Sequence, residues 1–246
     1  MSLRVQGGLI FFDIVDGSGE THAKIQCLLK SDESQVGAFD LFNETVDIGD
    51  FVEATGDLFV TKRGQQTLKV DSWNMLSKSL RPLPEKWHGL QDQDERFRRR
   101  YLDSLMSEEV RSRFVLRSKI VSLIRAILDE AGYLEVETPA LQPLYGGASA
   151  EPFMTHHNAL DIDLYLRISD ELYLKRMLVA GFPKVYEIAR DFRNEGIDRS
   201  HNPEFSMIEW YEAYADYNKV MDVTEGLLKH LAHKLYGSTQ IKVGEH

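Results

Sequence analysis

Between residues 184 and 212 two stretches alternate with the period of a strand, joined by a loop at 194–202. On the first stretch Glu187 and Arg193 share a face. On the second, Phe205, Met207, Glu209 and Tyr211 share one face, while Ser206, Ile208 and Trp210 take the other. A row of phenylalanine, carboxylate and phenol is poor core material, and a buried carboxylate is costly unless it meets a cation. Such a face offers Glu209 to a cation, Tyr211 as a phenol, Phe205 as a flat ring and Arg193 to an anion. It suits a zwitterionic or phosphorylated ligand. The competing reading is a solvent-facing sheet with ordinary ion pairs. Upstream, the loop Tyr145-Gly146-Gly147-Ala148-Ser149-Ala150 lets backbone approach a ligand closely, although a glycine pair alone is more often a plain turn.

These groups need elements to hold them. Val110, Phe114, Val121, Ile124 and Leu128 recur at helical spacing in a long helix beginning near Ser107. Glu108 and Glu109 sit in its first turn, where the helix dipole favours negative charge, and Gly132 is placed to end it in a left-handed conformation. Leu134-Glu135-Val136-Glu137-Thr138-Pro139 reads as a short strand stopped by proline, and residues 170–180 read as a helix. The first ~75 residues are different: short strands and turns suited to a five-stranded OB-type barrel. Ile10, Phe12 and Ile14 alternate with Phe11 and Asp13; the turn Asp16-Gly17-Ser18-Gly19 follows; then Ile25, Cys27 and Leu29 alternate with Gln26 and Leu28. Further strands are expected at 51–60 and 67–73, joined by the tight turn Lys62-Arg63-Gly64-Gln65. Phe11 and Gln26 fall on the outer face, where an aromatic and an amide can stack on and hydrogen-bond to unpaired bases; an edge aromatic covered by a loop fits the pattern equally.

The expected architecture is α+β: an OB-type barrel over 1–78, a linker over 79–103 marked by Pro82 and Pro84, and an antiparallel-sheet domain with flanking helices over 104–246. The dense basic run Arg96-Phe97-Arg98-Arg99-Arg100-Tyr101 either touches phosphates or pairs with the acidic residues just before it. Lys and Arg number 29 against 39 Asp and Glu, a net charge of −10. That argues against loose nucleic-acid binding without forbidding a local basic surface. The one cysteine, Cys27, excludes a disulfide framework and a cysteine zinc site, and fits a reducing, cytoplasmic setting. No apolar run approaches the ~20 residues of a membrane span, so no membrane partner is expected.

Phe192-Arg193-Asn194-Glu195-Gly196, followed by Arg199-Ser200-His201-Asn202-Pro203-Glu204-Phe205, resembles motif 2 of the class II aminoacyl-tRNA synthetases. The long helix with Glu135-Val136-Glu137-Thr138-Pro139 resembles their motif 1, which builds a dimer interface. Within that class the segments Thr155-His156-His157-Asn158-Ala159-Leu160-Asp161 and Glu171-Leu172-Tyr173-Leu174-Lys175-Arg176 resemble the lysine-specific branch, as do Glu209, Tyr211 and Ala213-Tyr214-Ala215-Asp216-Tyr217.

The resemblance implies ATP-dependent activation of L-lysine and its transfer to the 3′ end of tRNA(Lys) by a homodimer. It implies that Arg193 bridges the amino-acid carboxylate and the α-phosphate, acting as the catalytic group. Glu195 would accept from the adenine amino group, Phe205 would stack on the adenine, and His201 and Asn202 would reach the phosphates. Gly147 and Glu171 would receive the α-amino group, and Glu209 with Tyr211 the ε-ammonium. Phe11, Gln26 and Gln65 would contact the anticodon, with Gln65 standing where the family carries Glu. Motif 3 and the Mg²⁺ carboxylates belong beyond His246, so no metal site is expected in this chain. Met1-Ser2-Leu3 and the end at 241–246 look cut, as in a piece of a longer enzyme, and these 246 residues alone are expected not to aminoacylate. The alternatives are a non-catalytic tRNA-binding paralogue, an aspartyl- or asparaginyl-type enzyme, disfavoured by the sign of Glu209, and a paralogue that lysylates a protein, disfavoured by the barrel.

Overall fold

The computed structural model describes residues 2–17, 23–32, 37–84, 90–198 and 200–242; the turn residues Ser18 and Gly19, Arg199 of the motif and the chain's last four residues lie outside them. The chain divides into two compact units, 1–111 and 112–246.

In the first unit, β1 (Leu3–Gln6), β2 (Leu9–Asp16), β3 (Ala23–Lys30), β4 (Phe51–Val60) and β5 (Gln66–Ser77) form one sheet in the order β1-β2-β3-β5-β4, with α1 (Ala38–Thr45) between β3 and β4. The β3–β5 pair is parallel and its neighbours are antiparallel. One apolar cluster draws on all five strands and α1, with Ile10, Phe12, Cys27, Leu29, Phe42 and Val70 buried at its centre. Phe42 packs against Phe12 at 4.6 Å and edge-on to Trp73 at 4.9 Å, arrangements that aromatic pairs favour. The register of β4 shifts between Thr55 and Gly56, and a Cβ at Gly56 would stand 1.8 Å from the Lys69 carbonyl oxygen. Only glycine fits that bulge.

The stretch expected as linker carries two short helices, α2 (Gln93–Arg98) and α3 (Arg100–Met106). Asp92 caps α2 by accepting from the Glu95 amide at 2.8 Å. Arg96 and Arg100 both reach buried Asp103, at 3.1 and 2.8 Å, and Arg99 stands 3.6 Å from Glu95. The prolines thus bar a helix near 82–84 only, and three arginines of the basic run are tied to carboxylates.

In the second unit, β10 (Lys184–Phe192) and β11 (Glu204–Glu212) make the expected hairpin, and β6 (Leu134–Glu135) adds parallel to β10. A second sheet has the order β7-β9-β8, from β7 (Leu141–Gln142), β8 (Met154–His157) and β9 (Ile162–Leu166). The long helix is α4 (Glu108–Glu130), and Gly132 after it has φ +81°. The expected helix at 170–180 is α5 (Glu171–Val179). α6 (Tyr217–Tyr236), which sequence reasoning did not anticipate, is capped by Asp216 and ended by left-handed Gly237. Ile124 and Leu128 of α4 and Val223 of α6 pack with Tyr186, Ile188, Ile208 and Trp210 on one face of the hairpin. The opposite face is therefore left for the polar row.

Candidate active site

That opposite face is no ordinary solvent-facing sheet. Glu187 and Asp191 on β10 are buried, while Glu209 and Tyr211 on β11 are half-buried. Glu187 lies directly across from Glu209 in the hairpin register. Gly147, Ser169, Glu171, Arg193, Glu209 and Tyr211 line one open cleft of about 320 Å³. All five residues expected to meet lysine are thus on its walls. A larger hollow of about 970 Å³ lies in the first unit beside 78–84, but its Lys78 and Asp47 already pair with each other at 2.6 Å.

Each group is held by a nameable contact. The Ser169 hydroxyl donates to Glu209 Oε1 at 2.8 Å and accepts from the Glu171 amide at 3.2 Å. The Tyr211 hydroxyl donates to Glu209 Oε2 at 2.9 Å. Burial and the neighbouring Glu209 carboxylate push the Tyr211 phenol far up, so it stays a neutral donor. Gly147 has φ +85°, and a Cβ there would lie 2.8 Å from Ser169 Oγ and 3.0 Å from Glu171 Cβ. Both conformation and space demand glycine. Glu171 pairs with Lys175 one turn along α5, and that ammonium also stands 5.9 Å from the Tyr211 ring centre.

Arg193 follows the end of β10. Its guanidinium lies over the Phe205 ring at 5.1 Å, its Nη2 reaches the Ile168 carbonyl only at 3.5 Å, and its buried Nε has no hydrogen-bond partner. Buried donors are seldom left unpaired, so this guanidinium suits an incoming anion. Glu195, His201 and Asn202 lie exposed on the 194–202 loop, and neither they nor Phe205, half-buried on β11, line the cleft. Glu195 accepts from the Glu151 amide at 3.4 Å. His201 is held by Asp198 at 2.8 Å, and Asn202 bonds to the Glu204 carbonyl.

Sequence reasoning missed the layer behind the cleft. Arg167, after β9, donates to the Arg190 carbonyl at 2.9 Å and pairs with Glu187 at 2.7 Å; it stands 3.2 Å from Asp170 and 3.4 Å from Asp191. Thr138, just before Pro139, donates to Glu187 at 2.6 Å, tying the motif 1 segment to this layer. Asp170 and Asp191 are fully buried, and no group outside the pair donates a hydrogen bond to either carboxyl; Arg167 meets them as ion pairs at 3.2 and 3.4 Å. Burial first, then mutual repulsion, lifts Asp170 well above the usual carboxylate range; burial lifts Asp191 too. Asp191 has the parity of Glu187 and Arg193, a signal available in the sequence.

On the first unit, Phe11 and Asp13 pair in register with Leu28 and Gln26, so Phe11 and Gln26 are diagonal neighbours on the outer face. Thr67 donates to Gln26 Oε1 at 3.0 Å and contacts the Gln65 carbonyl at 3.3 Å, continuing the patch to exposed Gln65.

The family model described as tRNA synthetases class II (D, K and N) matches residues 92–245, and that for the OB-fold nucleic acid binding domain matches 1–76. The chain belongs to the class II tRNA synthetases of the D, K and N group. Among its relatives are proteins named lysine–tRNA ligase. That of Carboxydothermus hydrogenoformans is 54% identical over 241 residues, 98% of this chain and 48% of the relative. That of Clostridium tetani is 53% identical over 246 residues, 100% and 48%, and that of Methanoculleus marisnigri 54% over 244 residues, 99% and 47%. The chain spans about half the length of the curated relatives it matches.

Proposed function

We propose that the chain supplies the lysine-recognising and anticodon-reading parts of a lysine–tRNA ligase: ATP-dependent formation of lysyl-adenylate, then transfer of the lysyl group to the 3′ end of tRNA(Lys). The observation that carries this is the carboxylate of Glu209, fixed by two hydroxyls at the wall of a cleft it shares with Glu171, Gly147 and Arg193.

The lysine ε-ammonium meets Glu209 and Tyr211, and the α-amino group meets Glu171 and the Gly147 backbone. Glu171 then exchanges Lys175 for the substrate ammonium, a swap of like for like. Arg193 takes the α-carboxylate and the α-phosphate together, since a guanidinium fork offers planar donors to both. One carboxylate oxygen attacks the α-phosphorus and pyrophosphate leaves. The 3′-terminal ribose hydroxyl then attacks the lysyl carbonyl and AMP leaves. Positioning and charge neutralisation do the chemistry. Phe205 stacks on the adenine, Glu195 accepts from its amino group, and His201 and Asn202 turn to the phosphates. Phe11, Gln26 and Gln65 read the anticodon.

Magnesium accompanies ATP in this reading, but the described residues make a poor cage for it. Their single three-carboxylate group, Asp170, Asp191 and Glu209, is mostly buried and already faces Arg167, whereas Mg²⁺ keeps several waters. A homodimer through α4 and β6 and a cytoplasmic setting complete the proposal; Phe114 of α4 is 52% exposed in the single chain, and no helix among the described residues is long and apolar enough to cross a membrane.

The sign of Glu209 favours lysine over the aspartate and asparagine of the same group, because a carboxylate substrate would meet a carboxylate wall. Exchange of pyrophosphate into ATP, assayed on a chain carried to the full length of the relatives, tests this. Lysine is expected to drive exchange and aspartate is not; exchange driven by aspartate overturns the proposal.

A further inference from the structure

The lysine reading uses Glu209 and leaves the two carboxyls behind it without a task; a role for them rests on that reading. Asp170 precedes α5 and Asp191 lies on β10; one oxygen of each lies within 4.8 Å of the other and of a Glu209 oxygen. Both are fully buried, and no group outside the pair donates a hydrogen bond to either carboxyl. The charged and titratable groups facing the pair come from four directions: Arg167 after β9, Glu187 on β10 with Arg193 just past its end, Glu209 and Tyr211 on β11, and Glu171 on α5. Arg167 is closest to Glu187 and stands farther from the two aspartates. Carboxylates therefore outnumber cations around the empty cleft, in a setting where unbalanced buried charge is costly.

We propose that Asp170 and Asp191 are the charge-selecting pair of the cleft: they share one proton while it is empty and release that proton to solvent when an ammonium settles against Glu209. The arriving ammonium takes over as the cation of the cluster. The only bond broken is the carboxyl O–H, and its proton goes to the buffer. A neutral side chain of the same length leaves the proton in place and gains nothing from the pair. Burial, with repulsion from Asp191 acting on Asp170 and from Glu209 acting on Asp191, holds both carboxyls above their usual range and agrees with a proton retained towards neutrality. The pair touches no substrate atom; it acts through the field at Glu209.

Titration calorimetry of lysine into the full chain, repeated in buffers of different ionisation enthalpy, reads the proton directly. A substantial fraction of one proton should be released per lysine bound, and affinity should rise with pH between roughly 5.5 and 7.5. Asp191→Asn should abolish the release and flatten the pH profile while weakening lysine more than norleucine; Asp170→Asn should do the same. The wild-type proton count decides whether or not either variant folds. Lysine binding with buffer-independent heat and a flat pH profile overturns the proposal and leaves the lysine reading standing. Absence of lysine binding overturns that reading and this inference with it.

Discussion

At Glu209 two hydroxyls fix one carboxylate, Ser169 on the first oxygen and Tyr211 on the second. An acceptor already oriented can take an ammonium with little rearrangement. Glu209→Gln removes the charge and leaves an ammonium poorly paired, so lysine affinity should fall about 10²-fold in calorimetry. Tyr211→Phe deletes one orienting bond, and a loss of only about tenfold is expected. Equal losses in the two variants would mean that the phenol holds the ammonium as strongly as the carboxylate does. Much of this is legible in the sequence, because strand alternation puts Phe205, Glu209 and Tyr211 on one face without further information. The service of Asp170 to the same site is not. Its place beside Asp191 depends on the turn 167–170 returning to β10, where the Phe192 amide bonds the Arg167 carbonyl at 2.9 Å, and no local period encodes that tertiary contact.

The elements carry two positions where geometry allows only glycine. Gly147→Ala adds a strained left-handed alanine, about 1–2 kcal/mol, and pushes on Ser169 and Glu171. Lysine affinity should drop at least as far as in Tyr211→Phe, with the melting of the second unit lowered only modestly. Gly56→Ala drives a methyl into the Lys69 carbonyl, so the first unit should lose its Trp73 fluorescence signature and its cooperative melt; an unchanged melt would place the bulge elsewhere. The strands of this unit and α4 are readable from their periods, since they are regular and one face is buried. α1, α2 and α3 are not, because each is short. The clue to α1 is the spacing of Phe39, Phe42 and Val46, all of which pack on the core cluster, but it occupies barely two turns.

For the whole molecule, the −10 charge makes any nucleic-acid partner depend on a few placed residues rather than on bulk attraction. Phe11→Ala should weaken binding of an anticodon stem-loop by roughly 1–3 kcal/mol if the ring stacks on a base, and should leave lysine binding unchanged. Coupled losses would argue against separate tasks for the two units. Stability should also depend on pH with an unusual sign. Asp170 and Asp191 have raised folded-state pKa values, so the native chain keeps a proton that the unfolded chain has lost. Their contribution is full below the ordinary carboxylate range and is lost as pH rises through the raised values. The melting temperature of the second unit should therefore fall from about pH 5 to pH 8, and Asp170→Asn should flatten that slope. The central claim is that the cleft selects a lysine side chain by its distal charge. Competitive calorimetry of lysine, norleucine and aspartate on the wild-type chain tests it most directly. Lysine should bind, norleucine should bind at least about 10²-fold more weakly and aspartate not at all; norleucine binding as tightly as lysine, or aspartate displacing it, would contradict the account.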